Sequence, residues 1–282
     1  MKGKKKGWLW VGAVLLALIL LGFNQRLKIV HYAVEAGDLP QPIRLALITD
    51  LHSCSYGQDM GQLIDAIDSG KPDAILLGGD IFDDILPNHN ARTLLEVIGG
   101  RYPCYYVTGN HEYWSGKEAF DEMMAVLEEC GIIRLQGEKA MLEIKGSRIG
   151  LYGLDDPAAW ENGGEYEALG TAGFEKQLAQ LAALKTEEDF SILLTHRPEA
   201  IDLYNQYDFD LILAGHAHGG QWRIPGLING LFAPNQGLFP QYAGGKYKAD
   251  DAALIISRGL ARESTRIPRY YNRPELVMVE LQ

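Results

Sequence analysis

Metal-ligand residue types recur along this chain at one kind of place, the position just after a short apolar run. Asp50-Leu51-His52 follows residues 44–49, and Gly78-Gly79-Asp80 follows 73–77. Gly109-Asn110-His111-Glu112 follows 105–108, His196 follows 191–195, and Gly215-His216-Ala217-His218 follows 211–214. Five of the chain's seven histidines lie in these segments. Open α/β sheets gather ligands and chemistry beyond the carboxyl ends of their strands. Five such ends carrying Asp50, His52, Asp80, Asn110, His196, His216 and His218 converge on one rim and predict a two-metal centre.

The rest of the chain fits such a frame. Residues 58–69, 90–98, 117–130 and 174–184 have apolar side chains at three-to-four spacing and read as helices. Residues 141–144, 149–152, 254–257 and 276–281 read as strands with no long helices between them. Two packed sheets flanked by helices accommodate both halves. No low-complexity linker or repeat divides the chain after residue 41, so residues 42–282 are expected to form one domain, preceded by a tether over 25–41.

The first 24 residues differ from the remainder. Lys2, Lys4, Lys5 and Lys6 precede an uncharged apolar run over 8–23. That run is a little short for a bilayer core, which needs about 20 residues, but it is longer than most signal-peptide cores. An N-terminal transmembrane helix acting as an uncleaved signal anchor is expected, ahead of a cleaved signal peptide or a soluble helix. The lysine cluster would stay cytoplasmic, giving a single-pass cell-membrane protein with an extracytoplasmic catalytic domain. The formal net charge is −11, and residues 1–28 carry six Lys/Arg and no acid, which leaves −17 for the rest. Such a body repels polyanions, so nucleic acid is excluded as a main partner. Three cysteines, Cys54, Cys104 and Cys130, make neither a disulfide framework nor a CxxC zinc site.

A carboxylate and an imidazole at Asp50 and His52 suit Mn²⁺, Fe or Zn²⁺. Asp80 could bridge two cations, Asn110 offers a neutral amide oxygen, and His196, His216 and His218 complete enough ligands for two ions. Such a pair can hold a bridging hydroxide and clamp a phosphoryl group. His111 is left without a necessary ligand role and is the candidate catalytic residue, protonating the leaving oxygen or stabilising the transition state.

In this order, Asp-x-His, Gly-Gly-Asp, Gly-Asn-His-Glu, an isolated His and Gly-His-Ala-His resemble the calcineurin-like metallophosphoesterase superfamily. The resemblance runs from about Ile43 to Leu281. The N-terminal segment, GHAHGGQWRIP over 215–225, SRGL over 257–260 and NRPEL over 272–276 resemble its YkuE/YaeI-type membrane-associated branch. The resemblance implies an α/β/β/α sandwich of two mixed sheets. It implies one metal on Asp50, His52, Asp80 and His218, a second on Asp80, Asn110, His196 and His216, and a leaving-group role for His111. The implied function is a membrane-anchored dinuclear phosphoesterase acting on a phosphodiester or phosphomonoester by attack of a metal-bridging hydroxide. Its substrate could be lipid-linked or an envelope component. Two alternatives are a pyrophosphatase of a nucleotide-linked lipid A precursor and a non-catalytic metal-dependent binding protein.

Asp83 could orient a ligand histidine, whereas Asp84 reads as a solvated loop charge. Asp155 and Asp156 read first as loop caps. Arg197 and Arg223 could contact a phosphate but read first as exposed surface. Tyr56, Tyr113, Trp114, Trp160, Trp222 and Phe232 could line an apolar groove, with core packing the commoner fate.

Overall fold

The computed structural model describes residues 2–37, 39–160, 172–186, 190–262 and 267–282. Helix α1 (Lys2–Gly22) leads into strands β1 (Lys28–Val34) and β2 (Ile43–Ile48). Helix α2 (Gly61–Gly70), β3 (Ala74–Gly78), α3 (His89–Gly99), β4 (Cys104–Val107), α4 (Asn110–Trp114), α5 (Lys117–Glu129) and β5 (Ile133–Arg134) follow. The second half contains β6 (Glu138–Ile144), β7 (Ser147–Gly153), α6 (Ala172–Ala182), β8 (Phe190–Leu194), α7 (Ile201–Tyr204) and β9 (Leu211–Ala214). It closes with β10 (Phe232–Ala233), β11 (Gly237–Leu238), β12 (Gly245–Ala249), β13 (Ala252–Ile256) and β14 (Glu275–Leu281).

One six-stranded sheet has the order β1-β14-β2-β3-β4-β5, and the other has the order β12-β13-β9-β8-β7-β6. Both are mixed: β2 to β5 run parallel with β14 antiparallel to β2, and β7, β8, β9 and β13 run parallel with antiparallel edges. Side chains alternate between the faces of a strand, and the core divides accordingly. Ile43, Leu45 and Leu47 of β2 meet Ile149, Leu151, Leu194 and Leu213 between the sheets. Ala46 and Ile48 of the same strand face Leu63, Ile67, Leu94, Leu95 and Leu127 of α2, α3 and α5. On the far side Leu193, Ile212 and Leu254 pack on Phe174, Leu178 and Leu181 of α6. The expected two mixed sheets between helical layers are therefore present.

The expected transmembrane helix is not. No helix among the described residues is long and apolar enough to cross a membrane. The reason is geometric: α1 includes the lysine cluster, and its uncharged part over 7–22 rises only roughly 24 Å, short of the ~30 Å hydrocarbon core. The placement as a single-pass membrane protein with an extracytoplasmic domain loses its support with it. The end of α1 instead meets the body of the fold, where Tyr271 Oη donates to the Leu18 carbonyl at 2.6 Å and Phe23 lies edge-on to Tyr270. Residues 28–34, read above as part of a tether, form β1 along the full length of β14.

Leu213, fully buried between the sheets, tests this packing. Leu213→Ala should cost about 2–5 kcal/mol, read as a lowered urea midpoint with an unchanged slope.

Candidate functional site

The parallel strands of both sheets end at the same rim. Beyond β2 the chain turns through Asp50, His52 and Ser53, and beyond β3 through Asp80. The two loops are laced together by Asp50 N–H to Gly79 O, His52 N–H to Asp80 O and Ser53 N–H to Ile81 O, at 3.0, 3.0 and 3.1 Å. Asp50, His52, Asp80, His216 and His218 all have left-handed backbone, with φ between 47° and 63°. For non-glycine residues this conformation costs roughly 1–2 kcal/mol each, and such strain concentrates at functional sites. Glycine supplies the close approaches. A Cβ on Gly109 would fall 2.2 Å from Asp80 Oδ1, and Gly259 (φ 69°) would place one 2.6 Å from the Asp50 Cβ.

These turns bring the predicted residues together. Asp50, His52 and His218 form one cluster, and Asp80, His196 and His216 another, each with ligand atoms within 4.8 Å of one another. A single oxygen, Asp80 Oδ2, is 3.1 Å from His196 Nε2 and 3.7 Å from His52 Nε2, so it stands between the two groups. Asn110 is buried at the start of α4. His111, half-buried, lies edge-on to His52 with ring centroids 4.3 Å apart.

Neighbouring groups fix most of these side chains. Asp83 Oδ2 lies 2.9 Å from His52 Nδ1, the orienting role considered for it. His196 Nδ1 donates to the Gly78 carbonyl at 2.8 Å, and Asp50 Oδ1 accepts the His216 N–H at 2.9 Å. Asp84 is no solvated loop charge, because its Oδ1 lies 2.6 Å from His111 Nδ1. Arg197 is no surface residue: it is 3% exposed and held by two nitrogens on Asp156. Arg223 donates to the Asn229 carbonyl and to its side-chain oxygen. Of the aromatics, Trp114 reaches the site, 5.0 Å from His111, whereas Tyr113 stacks on Phe120 and Tyr56 is core.

Glu112, which carries no role on sequence grounds, organises two of the loops. Its buried carboxylate accepts N–H bonds from Asp80 (3.1 Å), Ile81 (2.9 Å), Phe82 (3.2 Å) and Gly109 (2.8 Å), and the Tyr106 hydroxyl at 2.6 Å. Its place in Gly-Asn-His-Glu, three residues after Gly109 at a helix start, is a capping signal. Asn235, 17 residues beyond His218 in sequence, was also missed.

The electrostatics suit a cation. Burial opposes charge on Asp80, but His196, His111 and His52 outweigh it and hold the carboxyl well below the usual range. Burial likewise opposes charge on His196, yet Asp80 beside it pushes its pKa up to about 10. Burial together with Arg197 and His196 keeps His216 neutral, and burial with His52 and Arg269 keeps His218 neutral, as metal binding requires. Buried polar atoms nearly always have hydrogen-bond partners. Asp50 Oδ2, His52 Nε2, Asn110 Oδ1, His216 Nδ1 and His218 Nδ1 have none. Five such atoms at one rim, all from N and O donors, fit divalent metal ions.

Known proteins place this arrangement. The calcineurin-like phosphoesterase family model matches residues 43–220, and the chain belongs to that family. It is a metallophosphoesterase, of a family that typically binds a dinuclear divalent metal centre. It is 28% identical over 245 residues to metallophosphoesterase YkuE of Bacillus subtilis (strain 168), covering 85% of this chain and 79% of that one. It is 28% identical over 249 residues to phosphodiesterase YaeI of Escherichia coli (strain K12), covering 86% and 84%. A Staphylococcus aureus protein solved in complex with alpha-ketoglutarate has the same fold, with a TM-score of 0.53 at 14% identity, over 84% of this chain and 54% of that longer one.

Two outcomes are expected. Glu112→Gln strands at least one buried N–H or O–H donor and should cost about 2–4 kcal/mol of stability by urea titration. In the metal-stripped protein, His196 has a folded pKa raised from 6.5 to about 10. Its contribution is fully present below pH 6.5 and is lost as pH rises through about 10. The stripped protein should therefore be less stable at pH 10 than at pH 7 in chemical denaturation.

Proposed function

We propose that the enzyme hydrolyses phosphodiesters at two divalent ions, Mn²⁺, Fe or Zn²⁺. Asp50, His52 and His218 would hold one ion, Asn110, His196 and His216 the other, and Asp80 would serve both. The observation that carries this reading is the Asp80 carboxylate standing between the two histidine clusters. When bound, the ions would supply an activated water and neutralise charge on the phosphoryl oxygens. His111 is the general acid: Asp84 Oδ1, 2.6 Å from its Nδ1, orients the ring and leaves Nε2 for the departing oxygen.

The diester is preferred to the monoester on charge. Among the described residues, the arginines near the rim are committed elsewhere: Arg197 to Asp156, Arg258 to Glu275, Arg262 to the Ser55 carbonyl and the Tyr56 ring, and Arg269 to the Ala261 carbonyl. Two ions and one histidine suit the single negative charge of a diester better than a dianion. The name of the relative YaeI, a phosphodiesterase, agrees. A lipid-linked substrate is not part of the proposal, because that expectation rested on the N-terminal span.

The test strips the full chain of metal, reloads it separately with Mn²⁺, Zn²⁺ and Fe²⁺, and assays a phosphodiester, a phosphomonoester and a nucleotide-linked pyrophosphate. His111→Ala should lose about 10²–10⁴-fold in kcat while retaining its metal, and Asp80→Ala should lose both. Wild-type metal binding without turnover of any ester would sink the hydrolase reading, and a preference for the monoester would overturn the charge argument.

A further inference from the structure

Arg197 is a buried cation whose Nε and Nη2 are taken by Asp156. Its remaining nitrogen, Nη1, lies 2.9 Å from Asn235 Oδ1 and 2.9 Å from His216 Nε2. Asn235 sits in the turn between β10 and β11, with φ 58°. Asn235 is exposed, as are its hairpin neighbours Leu238 and Phe239 at 68% and 64%, yet its amide oxygen reaches the buried His216.

Hydrogen-bond chemistry limits the arrangements open to this group. A guanidinium nitrogen only donates, so the Asn235 atom that meets Arg197 Nη1 is the amide oxygen. That oxygen only accepts, and it lies 3.0 Å from His216 Nε2. A bare Nε2 would accept from Arg197 Nη1 but would face the Asn235 oxygen as a second acceptor, whereas an Nε2 that carries a hydrogen has Asn235 Oδ1 as its acceptor. A neutral imidazole with its hydrogen on Nε2 has its lone pair on Nδ1. His216 Nδ1 is buried and lacks a hydrogen-bond partner. A second acceptor, Glu199 Oε1, is 3.9 Å from His216 Nε2, beyond hydrogen-bond range.

We infer that Asn235 is a positioning residue for the half of the centre built on His196 and His216. It holds His216 in the tautomer that presents Nδ1 to a metal ion, and Asp156 through Arg197 holds the Asn235 amide in place. The inference rests on the two-ion reading above and adds to it a residue outside the ligand set, carried by a hairpin whose other face is solvent. Orienting partners of this kind change metal affinity by about 10–100-fold when removed.

The experiment measures binding rather than turnover. Metal-stripped full-length protein is titrated with Mn²⁺, with bound ion counted by equilibrium dialysis and elemental analysis. Asn235→Leu should weaken one of the two ions by about 10–100-fold and leave the other unchanged. Asn235→Asp, which restores an acceptor, should recover most of that loss, and Leu238→Ala on the exposed face of the hairpin should leave both ions unaffected. The inference is overturned if Asn235→Leu binds both ions as wild type does, if Asn235→Asp rescues nothing, or if Leu238→Ala weakens binding equally. Wild-type protein that never holds two ions would overturn the two-ion reading itself, which separates that failure from this one.

Discussion

The Glu112 carboxylate is the fixed point from which the rim is built. It collects four backbone N–H groups from the loops after β3 and β4, together with the Tyr106 hydroxyl. Those loops carry Asp80, Asn110 and His111. An uncompensated buried carboxylate is costly, so the loops and the charge satisfy one another: the carboxylate needs the donors, and the donors have no other acceptor once they leave the strands. The second lacing, between the Asp50–Ser53 turn and the Gly79–Ile81 segment, extends this order to the neighbouring strand. Side chains from residues 50 to 218 thereby meet within a few ångströms.

Charge is balanced in the same economical way. Asp80 is buried among three imidazoles, and the proton on His196 substitutes for a cation. His216 and His218 are kept neutral by burial and by nearby cations. An ion arriving at the second cluster would displace the His196 proton, so binding and proton release are coupled. Left-handed backbone at five of the seven candidate ligands adds strain that the surrounding hydrogen bonds hold in place.

Much of this was legible in the sequence, for a physical reason. A strand announces itself by its apolar run, and the residue after it is the one a sheet delivers to its carboxyl edge. His52, Asp80, His196, His216 and His218 could each be placed by that rule. Asp84, Arg197 and Asn235 could not. Asp84 meets His111 across 27 residues, and Asn235 meets Arg197 across 38, and no local pattern encodes such pairings. A charged residue in a loop looks solvated until its partner is known, and for that reason Arg197 read as surface. The N-terminal helix misled in the opposite sense: composition suggested a span, but length decides whether apolar residues reach across a bilayer, and β1 has too weak an alternation to stand out beside it.

The strand order of the first sheet has a consequence for how the chain is made. The last strand, β14, lies between β1 and β2, so β1 has no partner until the ribosome has delivered residues 275–281. Until then the helices of the first half can collapse on β2, β3 and β4, but the β2 edge stands open. Contacts this distant in sequence carry a large loop-closure entropy and slow folding, and an open edge invites pairing with other chains. This seven-residue strand thus acts as a late-arriving keystone, and a chain truncated before residue 275 would lose two ladders at once.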